Sequence, residues 1–189
     1  MALRDWVRDD AEFLAEAFLD PLIRRYNGAS DERGFPAPPP SLADAAAVID
    51  GFASRWGEFA STGNPAGAAF MITDAVSGES LGCCGIDDWT ADDVAQIGYW
   101  LVPAARGRGF ATRAAILLTR WLFDLGAARV FLTVVAGNDA SAAVARRAGF
   151  VYEGLMPSKS AWMGETFDVL RFGALPAAWS PDAPPAAVP

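Results

Sequence analysis

Apolar residues along this chain alternate between two spacings, and each change of spacing marks an element boundary. Residues 2–7 read as a short first strand. Phe13, Leu14, Ala17 and Phe18 then recur at helical spacing behind Asp9 or Asp10, either of which caps a helix to about Leu19. Asp20-Pro21 breaks that helix, and residues 27–40, rich in Gly, Ser, Asp and Pro, read as a loop. Ser41 with Asp44 three positions on predicts the start of a helix to about Phe59. Residues 68–73 and 81–86 are strand-like runs joined by the turn-like 74–80, which predicts a hairpin. Residues 94–102 form a third strand, ended by Pro103, which cannot continue a ladder. From about Gly109 to Leu125 the period returns to helical, with Ala111, Ala114, Ala115, Leu118, Leu122 and Leu125 on one stripe and Gly126 as its stop. A strand at 129–135 follows. Asn138 or Asp139 caps a further helix that carries Arg146 and Arg147 near its end. Residues 150–153 and 167–172 are closing strands.

Helices, a hairpin, strand–helix–strand–helix and then strands predict an α/β (α+β) fold. One mixed, mostly antiparallel sheet is flanked by helices in a single domain over residues 1–180. The Pro/Ala-rich residues 181–189 are expected to be a flexible tail. No apolar run reaches the roughly 20 residues of a membrane span. The charged residues 1–10 lack an apolar signal core, so a cytoplasmic protein is expected. Cys83 and Cys84 are adjacent, which suits one residue on each face of a strand better than a disulfide framework. The chain has no histidine, which removes serine–histidine hydrolysis, histidine bases and histidine-ligated metals together.

Charge sharpens the picture. The net charge is −8, yet seven arginines lie between Arg106 and Arg147 against only Asp124 and Asp139. A basic block of this kind can be a solvated face. Nucleic acid is not expected as a partner, because the acidic remainder repels phosphates beyond the local block. A small polyanion at the block fits, and the acidic remainder suits an amine. Within the block, "RGRGFA" follows a strand and opens a helix. The first amides of a helix have no intrahelical partners and sit at the positive end of its dipole. Gly107 and Gly109 let phosphate oxygens approach the backbone, with Arg106, Arg108 and Arg113 nearby. The expected guest is a diphosphate. The turn is neither a P-loop nor a three-glycine dinucleotide fingerprint, and it can also be a plain strand-to-helix turn.

"IGYWLVPAARGRGFATRAA" followed by "VFLTVVAGNDASAAVARRAGFVYEG" resembles the GNAT family of N-acetyltransferases, in particular its ribosomal-protein N-terminal (RimJ/RimL-type) branch. The family motif, Gln/Arg-x-x-Gly-x-Gly/Ala, is met by Arg106, Gly109 and Ala111. The branch's Asn-x-x-Ser helix start and closing Gly-Phe are met by Asn138, Ser141, Gly149 and Phe150. The likeness is strongest over residues 96–154. It implies acetyl-CoA or coenzyme A as co-substrate, its pantetheine arm lying like an extra strand where one strand parts from its neighbour. Backbone groups of Leu101 and Val102 would hold that arm. The amides of Arg106, Gly107, Arg108, Gly109, Phe110, Ala111 and Thr112 would hold the diphosphate, and Asn138 would bond the arm. An amine-bearing acceptor, a peptide N-terminus or a small molecule, would attack the thioester directly, with Ser141 donating to the leaving sulfur.

Two positions depart from the family pattern. Many members carry a tyrosine seven residues after the asparagine, where this chain has Ala145. Many also carry a glutamate on a central strand, where the nearest counterparts here are Gln96 and Thr133. Asp87, Asp88, Glu165, Asp168 or a water chain could replace that base. The acceptor lining is expected from residues 21–42, with Phe35, the four prolines at 36 and 38–40, Asp31 and Glu32, and from 156–166, with Trp162, Met163 and Glu165. Aromatic and acidic groups there suit an amine with some apolar surface. The chain is expected to act as a monomer or homodimer. A non-catalytic acyl-CoA sensor or scaffold of the same fold is the alternative.

Overall fold

The computed structural model describes residues 1–31 and 34–181. The predicted tail therefore lies, apart from Pro181, outside the described residues. A seven-stranded sheet in the order β1-β2-β3-β4-β5-β7-β6 runs through the molecule. Its strands are β1 (Ala2–Asp5), β2 (Ala69–Thr73), β3 (Ser80–Trp89), β4 (Val94–Leu101), β5 (Arg129–Val135), β6 (Val151–Trp162) and β7 (Glu165–Ala174). Every neighbouring pair is antiparallel except β4 and β5, which are parallel. The helices are α1 (Ala11–Ala17), α2 (Pro21–Asn27), α3 (Leu42–Thr62), α4 (Phe110–Asp124) and α5 (Asp139–Arg147).

The strand period of two builds a core on each face. Ile72, Cys84, Ile86 and Ile97 face one way and pack with Phe110, Leu118 and Leu122 of α4 and Ala142 and Ala145 of α5. Met71 and Cys83 face the other way and pack with Trp6, Leu14 of α1 and Ile49 of α3. The adjacent cysteines thus divide between the two cores, as their position in a strand predicts. Of the predicted α4 stripe, Leu125 stays exposed, because the helix ends at Asp124 and Gly126, at φ 99°, turns the chain away.

Local chemistry explains the helix ends. Ser41 Oγ accepts from the Asp44 amide at 3.2 Å and Asp44 accepts from the Ser41 amide at 3.0 Å, a reciprocal cap for α3. Asp20-Pro21 does more than break a helix. Pro21 occupies the first turn of α2, where its missing N–H costs nothing, and Asp20 Oδ1 accepts from the amides of Leu22 (3.1 Å) and Ile23 (2.9 Å). Residues 21–27, given no element from sequence, are therefore helical. The strand predicted at 150–153 extends to Trp162. Its second half has no apolar alternation and contains Pro157, which an edge strand tolerates where its register shifts between Met156 and Ser160.

Asp20 has a second partner. Its carboxylate pairs with Arg106 at 2.7 Å, and Arg106 Nε donates to the carbonyl of Leu101 at 3.1 Å. Burial pushes the Asp20 carboxyl up, but the Arg106 hydrogen bond and the α2 amides outweigh it and hold the group below its ordinary value. Its stabilisation is therefore present above the unfolded carboxyl value and is lost as pH falls through the depressed one. Asp20→Ala is expected to lower the unfolding free energy by about 1–2 kcal/mol at pH 7 through the lost cap and ion pair. Urea denaturation checks the loss, which is expected to shrink at acid pH.

Candidate active site

β4 and β5 are paired only from Val94 to Gln96 against Arg129 to Phe131. Beyond Gln96 the two strands part, and the facing edges of Ile97–Leu101 and Leu132–Val135 line a cavity of about 750 Å³. The parting puts two helix starts at the ends of the parted strands. α4 begins at Gly109, whose φ of 76° only glycine adopts cheaply, and no side chain caps its first amides. Gly107, at φ 74°, completes the turn, and a Cβ placed on it would meet nothing within 4 Å. Glycine is thus required at 107 by the backbone angle rather than by crowding. α5 begins at Asn138, whose side chain accepts from the Ser141 amide at 3.2 Å.

Leu101, Arg106, Gly107, Gly109, Phe110, Ala111, Thr112, Asn138 and Ser141 all line this cavity. Val102 and Arg108 do not: the Val102 amide donates to the carbonyl of Leu81 at 3.0 Å, and the Arg108 side chain lies over the Phe110 ring at 4.8 Å, 3.7 Å from Asp74. Arg113 covers the other side of Phe110, also at 4.8 Å. The guanidinium of Arg106 lines the cavity while it pairs with Asp20 and donates to the Leu101 carbonyl, so it also clamps the end of β4 to α2.

A second cavity, of about 600 Å³, lies toward α1–α3 and shares Tyr26, Asn27, Asp87, Gly98, Tyr99 and Trp100 with the first. Its wall includes Pro36, Trp6, Phe18, Phe52 and Trp100, and its rim carries Arg24. Trp100 is held by Phe13, stacked at 6.2 Å, and by the edge of Phe18 at 5.7 Å. Of the residues expected to line the acceptor side, the prolines at 36 and 38–40 do so. Among the described residues, Phe35, Asp31, Trp162, Met163 and Glu165 line neither cavity; Glu32 lies outside the described residues. The later segment is a hairpin rather than a loop, so it presents Met156, Lys159 and Ser160 to the first cavity and carries its tip away.

Four acids were candidates for a base, and the structure separates them. Asp168 Oδ1 accepts from the Ser158 amide at 2.9 Å, and Asp168, Glu165 and Asp88 all lie outside both cavities, although Asp87 is exposed as Asp88 is. Asp87 lines both. Its carboxylate lies over Gly98, where a Cβ would come within 2.9 Å of it, so that glycine makes its room. Water reaches Asp87 through the open cavity, yet the protein crowding it pushes its carboxyl above the ordinary value. The hydrogen bond from Gln96, at 3.3 Å, opposes that rise, and neighbouring Asp88 adds to it. Of the four acids, Asp87 on β3 is therefore the one that reaches both cavities, and it does so bonded to Gln96 of β4.

Sequence reasoning passed over Tyr99. Its hydroxyl lies 3.0 Å from Ser141 Oγ, spanning the parted strands from β4 to α5, and burial pushes its phenol up to about 12. The available signal was its position two residues after Ile97, on the strand face turned toward α4 and α5. Ala145 is fully buried against the core, so a tyrosine has no room there without repacking.

The family model for the acetyltransferase (GNAT) domain matches residues 1–151. The chain belongs to the GNAT acetyltransferase family. A putative ribosomal N-acetyltransferase, YdaF of Bacillus subtilis, is 33% identical over 86 residues, which is 45% of this chain and 47% of that protein. This match spans about half the length of each. Among solved structures, a probable acetyltransferase aligns with TM-score 0.79 and 23% identity over 94% of this chain and 93% of its own. RimJ of Mycobacterium smegmatis, solved with a CoA-disulfide, aligns with TM-score 0.76 and 22% identity over 93% of this chain and 81% of its own. These likenesses establish the shared GNAT fold.

The Asp87 carboxyl, followed by carbon NMR, is expected to titrate with a midpoint above the ordinary value of about 3.9. Gln96→Ala is expected to raise it further, because the lost hydrogen bond favoured the ionised form.

Proposed function

We propose that the protein transfers an acetyl group from acetyl-CoA to a primary amine by direct attack within a ternary complex. The observation that carries this reading is the junction of the two cavities. A groove ending at two helix starts meets an apolar pocket at Asp87, Gly98 and Tyr99, so a donor and an acceptor can converge on one point. Coenzyme A fits the groove on three counts: strand edges without partners for an amide-bearing arm, glycine-opened amides at α4 for a diphosphate, and Asn138 at the first turn of α5.

In this reading Asp87 takes the proton that the amine must lose, a task its raised carboxyl value suits. Ser141 donates a hydrogen bond to the departing sulfur. The acceptor pocket holds one carboxylate, Asp87, against Arg24 among its described lining residues, with a wall of aromatic rings and prolines. That lining favours an amine on an apolar body over a polycation. A protein N-terminus with an apolar residue and a small arylalkyl amine both satisfy it.

The test is amine-dependent release of free thiol from acetyl-CoA with 2-phenylethylamine, spermidine and a Met-initiated peptide. Turnover of the first or third above spermidine is expected. Tight coenzyme A binding with no amine-dependent release would establish the sensor reading instead. Gly109→Asp is expected to remove coenzyme A binding by calorimetry, since it brings a side chain and a negative charge to the α4 amides. Ser141→Ala is expected to keep donor affinity and slow kcat by about tenfold or more, the loss of one transition-state hydrogen bond. Asp87→Asn is expected to slow kcat and flatten the acid limb of its pH profile. In the wild type that limb rises as the raised carboxyl ionises.

A further inference from the structure

Tyr99 has no part in the chemistry above, yet its hydroxyl is within hydrogen-bond reach of the one side chain assigned to the leaving group. We propose that Tyr99 is a positioning residue: its O–H donates to Ser141 Oγ, which leaves the serine's own proton free to point into the groove at the departing sulfur. The proposal rests on the assignment of Ser141 to that sulfur.

A serine hydroxyl has one proton and two lone pairs. If Ser141 spent its proton on Tyr99, none would remain for the sulfur. The tyrosine offers the alternative. Its oxygen lies 3.0 Å from Ser141 Oγ and 3.3 Å from the Ser141 carbonyl, and the shorter approach is the one in the ordinary range for O–H···O bonds. The first turn of α5 is itself held, because Asn138 accepts from the Ser141 amide at 3.2 Å. Backbone and hydroxyl of Ser141 are therefore fixed from different sides, and Tyr99 lines the groove beside it.

The titration of the phenol limits what it can do. A group pushed up to about 12 keeps its proton throughout the working range, so it remains a donor. For the same reason it does not surrender that proton to a thiolate whose conjugate acid lies near about 8.5. The step is then balanced without the tyrosine changing protonation. The amine nitrogen forms a bond to the acyl carbon and loses its proton to Asp87, the carbon–sulfur bond breaks, and the electron pair leaves on sulfur. The Ser141 hydroxyl stabilises that thiolate until solvent protonates it.

The experiment compares wild type, Tyr99→Phe, Ser141→Ala and the double variant, using the best acceptor of the amine panel. Two donors are used, acetyl-CoA and acetyl-selenocoenzyme A, whose leaving selenolate is the weaker base. With acetyl-CoA, Tyr99→Phe is expected to lower kcat about tenfold with KM for the donor within about twofold, and the double variant is expected to be no slower than Ser141→Ala. With the selenoester the Tyr99→Phe loss is expected to shrink to about threefold or less, because the leaving group needs less stabilisation. A loss equal for both donors, or one additive with Ser141→Ala, would mean that Tyr99 only braces the groove, and the proposal would fall. If Ser141→Ala left kcat unchanged, the serine assignment would fall with it. If Ser141→Ala were slow and Tyr99→Phe were not, the tyrosine proposal alone would fall.

Discussion

The hydrogen bonds that β4 and β5 do not make shape the rest of the molecule. A parallel pair normally continues its ladder, and backbone groups left unpaired inside a protein are costly. Here the pairing stops at Gln96 and Phe131, and the remaining facing edges open on a cavity. The cost is tolerable because water, or an amide-bearing guest, can supply the missing partners. The parting also explains why two helix N-termini meet one space. Each strand runs on past the last shared bond and turns into its helix at a different place, α4 at Gly109 and α5 at Asn138. Fold and site are in this sense one feature.

What keeps the opening in shape is the clamp of Arg106. One guanidinium holds the carbonyl of Leu101, at the end of β4, and the carboxylate of Asp20, which at the same time caps α2. The end of β4 and the turn before α4 are thereby tied to a helix that supplies Leu22, Ile23 and Tyr26 to the groove. Arginine suits this task better than lysine, since its rigid fork reaches two acceptors at once. Read as a sequence, Arg106 looked like a cation for phosphate. In the folded chain its charge faces Asp20, and what the turn itself leaves open is the uncapped main-chain amides of α4, exposed by glycine's freedom.

The parts legible in the sequence were those governed by neighbours along the chain. The Ser41–Asp44 cap, the Asn138 cap, the α4 stripe and the division of Cys83 from Cys84 all depend on spacings of one to four residues. The parts that were not legible depend on contacts made across the fold. Arg106 meets Asp20, 86 residues away, and Tyr99 meets Ser141, 42 residues away. Neither pairing leaves a periodic trace. Asp87 was one of four acids of equal standing until β3 and β4 placed it over Gly98. Helix α2 was hidden for a different reason: the dipeptide Asp-Pro ends one helix and starts the next, and only the stopping half of that signal is apparent when no strong apolar stripe follows.

The two departures from the family pattern are related. The family pattern puts a tyrosine on α5, at position 145 here, and a glutamate on a central strand, where Gln96 and Thr133 are the nearest counterparts. This chain has Ala145 and Gln96 there, and at the same junction a tyrosine arrives from β4 and a carboxylate from β3. The same two kinds of side chain thus reach the junction from neighbouring elements, and in the proposed reaction they divide the work differently: Asp87 takes a proton, while Tyr99 keeps its own and positions Ser141. Gly98 leaves room for this carboxylate in its present place, since a Cβ there would come within 2.9 Å of Asp87 Oδ2 and push that side chain aside. The burial of Ala145 is its counterpart on the other wall, since a small residue lets α5 pack against the core while Tyr99 crosses the gap to Ser141. On the proposed roles, a reaction keeps its point in the fold while the residues that serve it come from other strands. A search for the family's residues at the family's positions would miss such a site.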